Sequence, residues 1–141
     1  VIAGATGVLV AGAVALAATT AFAGTSSANV TYKFAGLMGI ASSQAATLNV
    51  VNVASSSCTA KLQFVDANRV VVASSQVTIA SGHAASLVYT PTLVPPNRTE
   101  VRPVVVSVGG SCKSLAPTVE VYSTVTGSTV VEEFGNQSRI G

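Results

Sequence analysis

The sequence predicts a mainly β protein, with a long apolar α-helix at the N-terminus followed by an antiparallel β-sandwich of seven to nine strands. Three observations predict it. Residues 1–24 carry no charge, and the first charged side chain is Lys33. From Val30 onward the apolar positions alternate with a period of two, as they do along a half-buried strand. Turn-forming clusters then recur at about 8–12 residues, and no second helical pattern is found between them. The division that follows is an apolar helix over residues 1–24 and a β-sandwich domain over residues 25–141.

A helix over residues 1–23 would reach roughly 35 Å, enough to cross a bilayer core of about 30 Å. Small residues recur every four positions along it, at Ala3, Gly7, Ala11, Ala15, Thr19 and Ala23, and such a row lets helix backbones approach closely in apolar surroundings. Ile2, Val10, Val14 and Phe22 supply bulk on another face. Gly4, Gly7 and Gly12 would each cost about 1 kcal/mol in an isolated helix, so the segment is poor alone in water and sound when surrounded. The tripeptide Ala21-Phe22-Ala23 also has the form of a signal-peptidase site, which makes a removable signal remnant over residues 1–23 the alternative. The stretch opens without a Met or a basic region, and this favours retention.

Gly24-Thr25-Ser26-Ser27 reads as the hinge into the body. Val30, Tyr32 and Phe34 alternate as a strand, and Gly36 to Ile40 reads as an apolar loop. Leu48 to Val53 is a buried strand ending at the turn Ser55-Ser56-Ser57. Cys58, Ala60, Leu62 and Phe64 share one face of the next strand, which turns at Asp66-Ala67-Asn68-Arg69 into Val70-Val71-Val72. Gln76 to Ile79 leads to a tight turn at Ser81-Gly82-His83, then to Leu87-Val88-Tyr89. Pro91, Pro95 and Pro96 mark a longer loop. Val101 to Val108 is the most apolar strand, and Pro103 pushes its start toward an edge or a bulge. Beyond the turn Gly109-Gly110-Ser111-Cys112, Val119 to Val121 and Ser128 to Phe134 form the last two strands, joined at Thr126-Gly127.

Charged residues make up 9% of the chain, against about 25% in ordinary domains, and the net charge is +2. So small and scattered a charge does not suggest a nucleic-acid surface, and no nucleic-acid partner is expected. Ser, Thr, Ala and Val fill the body, a composition of β-branched strands with hydroxyl-rich faces, and one that tends to self-associate. Cys58 and Cys112 are an even count in a chain that reads as exported, so one intramolecular disulfide is expected, with two buried free thiols as the alternative.

The motifs of catalysis are missing. His83 is the only imidazole and falls in a Gly-His turn, where an ordinary turn residue is the simpler account. A Ser-His-Asp site would need it beside Asp66, and there is no nucleophile-elbow pattern. One His and no short Cys spacing leave no metal site, and no glycine loop cradles a phosphate, so no cofactor is expected. Glu132 and Glu133 are adjacent, which on a strand sends them to opposite faces. Asp66 and Asn68 fit a hairpin turn without calcium. Sequons occur at Asn29, Asn97 and Asn136, which offer glycan attachment in an organism that decorates its surface proteins.

Leu48-Asn49-Val50-Val51-Asn52-Val53, the run Cys58 to Asp66, Val101-Arg102-Pro103-Val104-Val105, Cys112, and Leu115 to Tyr122 with Thr126-Gly127 resemble a family of secreted bacterial β-domain proteins of unknown function. The resemblance covers about residues 45–131 and brings no activity with it. In overall plan the chain resembles type IV pilin-like filament subunits, although Ala5 stands where those of bacteria usually carry Glu. The resemblance implies a structural role rather than an enzyme. On this reading the chain is an extracellular or cell-surface filament subunit, a homopolymer through helix packing after a transient membrane stage, with residues 25–141 alone a soluble monomer. The alternative is a secreted monomeric β-sandwich binding module.

Overall fold

The computed structural model describes residues 30–33, 36–94 and 96–134. The expected helix, including Ala3, Gly7, Val10, Ala11, Val14, Ala15 and Phe22, lies outside the described residues, as do Asn29 and Asn136. Nine strands follow in order: β1 Val30–Lys33, β2 Met38–Ala41, β3 Gln44–Asn52, β4 Cys58–Asp66, β5 Val71–Ile79, β6 Ala84–Tyr89, β7 Arg98–Ser107, β8 Leu115–Ser123 and β9 Thr129–Phe134. They form two antiparallel sheets. One runs β1-β7-β4-β5 with β2 also paired to β7; the other runs β6-β3-β8-β9. Among the described residues there is no α-helix, and no helix is long and apolar enough to cross a membrane.

Alternation decides which side chains are enclosed. Ala46, Leu48 and Val50 of β3 pair with Val121, Val119 and Pro117 of β8 in register, so these residues share the inner face of their sheet. Ala60, Leu62 and Phe64 of β4 pair with Ser107, Val105 and Pro103 of β7 and face them across the core. Phe64, Leu48, Leu62, Ile40 and Leu115 have no accessible surface. Enclosing each such side chain contributes about 1.5–3 kcal/mol. The outward positions Thr59, Lys61 and Gln63 of β4 lie opposite Thr78, Gln76 and Ser74 of β5, a polar exterior built from hydroxyls and amides.

Two readings of the sequence are corrected. Gly36 to Ile40 is not simply a loop, because Met38 to Ala41 pair with Val101 to Arg98 as β2 and bury Met38 and Ile40. Pro103 is not near a sheet edge either, since β7 is central, between β4 and the β1/β2 edge. The two findings explain each other. β1 pairs with residues 104–107 of β7 and β2 with residues 98–101, so the outer ladder is interrupted beside Arg102 and Pro103. A residue without an N–H is tolerated in a central strand where one neighbouring ladder is broken. Pro117 repeats the device, for β9 pairs with β8 only from Thr118 to Tyr122.

Candidate functional site

One end of the sandwich gathers the start of β1, the disulfide, the 53–57 connection and the 80–83 turn, as the pairs Val30–Ser107, Cys58–Ile79 and Asn52–Leu115 require. Here β7 leaves its sheet through a short 3-10 turn, Val108–Gly110, in which Gly109 and Gly110 both take positive φ. That backbone favours glycine and delivers Cys112 to the first residue of β4. Cys58 and Cys112 are bonded, with Cα atoms 4.9 Å apart. The surrounding serines hold the crossing in place. Ser107 Oγ, fully buried, accepts from the Cys112 N–H at 2.9 Å. Ser111 Oγ accepts from the Thr59 N–H at 3.0 Å and donates to Val108 O at 2.9 Å.

Beside this staple lies Asn52, a polar residue with no accessible surface. Its Nδ2 donates to Ser56 O at 2.8 Å and to Ile79 O at 2.9 Å, and its Oδ1 accepts from the Ala54 N–H at 3.0 Å. Its backbone N–H donates to His83 O at 2.9 Å, and its carbonyl accepts from the Gly82 N–H at 2.8 Å. One residue, through side chain and main chain, therefore ties the end of β3 to the end of β5 and to the turn that follows. A buried amide so fully satisfied fixes the end of the sandwich rather than offering a group to a ligand.

The titratable residues singled out in the sequence are not brought together. Asp66 Oδ1 accepts from the Asn68 and Val70 N–H groups at 2.9 and 2.8 Å, so the carboxylate is occupied by its own turn. His83 is exposed at the other end of β5, a nine-residue strand spanning about 26 Å at roughly 3.3 Å per residue. Asp66 and His83 thus do not share a site. Glu132 and Glu133 take opposite faces, opposite Glu120 and Val119. Sequence reasoning missed the Glu120–Glu132 juxtaposition, which only the β8–β9 register creates; Glu120 also accepts from Thr129 Oγ. It missed Asn52 as a node as well, because an Asn in an apolar strand looks the same whether buried or not. Asn97 is exposed where the β6–β7 connection ends, so its side chain is open to modification. Among the described residues there is no pocket and no cluster of His, Cys, Asp or Glu that could hold a metal ion.

No protein-family model matches this sequence, and no curated protein matches it. Among solved structures, the crystal structure of Thermotoga maritima 1070 is similar, with a TM-score of 0.50 over 79% of this chain and 94% of that one, at 9% identity. The likeness is one of fold: a two-sheet β architecture that takes up nearly all of the other chain.

Proposed function

We propose that the chain is the structural subunit of an extracellular or cell-surface, pilus-like filament, polymerised through its N-terminal apolar helix with the β-sandwich outside. The observation that carries the reading is an uncharged stretch, residues 1–24, preceding a sandwich whose described core is supplied by Met38 to Val121. A segment apolar on every side has to be surrounded, by lipid or by copies of itself. Burial at about 25 cal/mol per Å² gives such a stem tens of kcal/mol, gross, before ordering costs. The pairing of Val30 with Ser107 supports the arrangement, since the chain enters the body at its disulfide-bonded end. The disulfide is compatible with an exported protein.

The test is polymerisation of the full chain, followed by electron microscopy and pelleting. Gly7→Leu and Ala11→Leu impair assembly more than Val10→Leu and Val14→Leu, because the small positions set how closely helices approach. Normal filaments from residues 25–141 alone would overturn the reading. Ala21-Phe22-Ala23 favours a second reading, a secreted monomeric binding module with residues 1–23 as a signal remnant. Mass spectrometry of the native protein separates the two: residues 1–23 are retained in the first case, and the chain starts at Gly24 in the second.

A further inference from the structure

The charges of the strands are sorted by sheet. In the sheet of β1, β2, β4, β5 and β7 the strands carry Lys33, Lys61, Arg98 and Arg102 against Asp66 and Glu100. In the sheet of β3, β6, β8 and β9 they carry Glu120, Glu132 and Glu133 and no cation. Alternation turns four of these charges to the two outer faces. Lys61 stands between the buried Ala60 and Leu62, Arg102 between Val101 and Pro103, and Glu120 between Val119 and Val121. Glu132 lies directly opposite Glu120 and shares its face. One side of the sandwich is thus basic outside and the other acidic.

Neither set is neutralised within the body. Among the described residues the one ion pair is Arg98 with Glu100, at 3.2 Å. It leaves Lys61 and Arg102 without a counter-charge on one face, and Arg102 Nε has no hydrogen-bond partner. On the other face Glu120 and Glu132 sit against each other, a like-charge pair that weakens a sheet unless a cation joins it. The Thr129 hydroxyl donates to Glu120 but brings no charge.

We propose that the basic face of one copy docks on the acidic face of the next, with Lys61 and Arg102 meeting Glu120 and Glu132. This deepens the filament reading and rests on it for the stem that holds neighbouring copies together. The two faces are on opposite sides of the sandwich, so the contact is heterologous and propagates as an open array instead of closing at a pair. Lys61 is set opposite Val106, four positions beyond Arg102 along β7, about 13 Å at roughly 3.3 Å per residue. Two long side chains narrow that gap onto the carboxylate pair.

Area sets the strength of the contact. Four strands of about nine residues, about 4.8 Å apart, offer about 570 Å², under the roughly 800 Å² per partner of a stable pair. Free bodies therefore associate weakly, in keeping with a monomeric body, and the contact becomes effective where stems raise the local concentration. Its electrostatic origin makes it sensitive to salt.

The experiment uses the full chain in mild detergent at low ionic strength, treated with a carbodiimide, which joins a lysine to a carboxylate without a spacer. The expected product is a ladder of dimer, trimer and larger species, with Lys61 joined to Glu120 or Glu132 in the digested peptides. The ladder is lost as salt is raised. Lys61→Glu with Arg102→Glu, and Glu120→Lys with Glu132→Lys, each sediment as smaller species than the parent, and an equal mixture of the two regains the parent's size. Circular dichroism checks that each variant keeps its β signal. Absence of the Lys61 link, products that stop at a dimer, or a mixture that fails to recover would overturn the proposal. A Lys61 link seen only after Arg139→Ala would overturn it too, and would put the chain's own tail on the acidic face. Filaments are scored separately by electron microscopy. Filaments without the Lys61 link refute this contact and leave the filament reading standing; the link without filaments does the reverse.

Discussion

Replacing Asn52 with alanine removes an amide that serves three main-chain groups at once. The Ile79 carbonyl is buried, and leaving it without a donor costs about 1–3 kcal/mol. Ser56 O and the Ala54 N–H are only part-buried, so water replaces the amide in part, and each loss is about 0.5–1 kcal/mol. Together the cost is about 2–5 kcal/mol, which for a domain of this size lowers the melting temperature by roughly 8–25 °C. Asn52→Asp costs more. Its carboxylate can only accept, so the oxygen that replaces Nδ2 faces the Ser56 and Ile79 carbonyls with no proton to donate, and a charge is introduced where there is no solvent. The assay is urea and thermal unfolding of the disulfide-intact chain, followed by its far-ultraviolet β signal. A cost below about 0.5 kcal/mol for Asn52→Ala, or an aspartate milder than the alanine, would refute the accounting.

Two further outcomes follow from the same end of the molecule and from the last strand. Denatured, unreduced protein has no free thiol, and reduction or Cys58→Ser with Cys112→Ser lowers stability by up to roughly 4 kcal/mol, the chain-entropy figure for a separation of 54 residues. Two titratable thiols in the unreduced protein would rule out the bond. Deleting residues 136–141 leaves the body folded, because the β8–β9 ladder ends at Phe134; a lost cooperative transition on that truncation would show that the tail belongs to the core.

Much of the body was legible because alternation is a local property. Cys58, Ala60, Leu62 and Phe64 announce a strand and its buried face without reference to any partner, and the Asp66 turn follows from Asx chemistry within five residues. The even cysteine count and the reading of an exported chain were enough to expect the bond at Cys58 and Cys112. What the chain could not declare was which edges meet. Met38 to Ala41 reads as a loop until β7 offers it a ladder, and Pro103 reads as an edge residue until the break between β1 and β2 falls beside it. Asn52 becomes a buried node only when Ile79, 27 residues away, turns its carbonyl toward it, and Glu120 meets Glu132 only through the β8–β9 register. Composition and period two thus determined the class of fold, the inward faces and the turns. Strand order and the central place of β7 were decided by long-range pairing, because a strand's own pattern shows which face it buries and says nothing of which neighbour covers its edge.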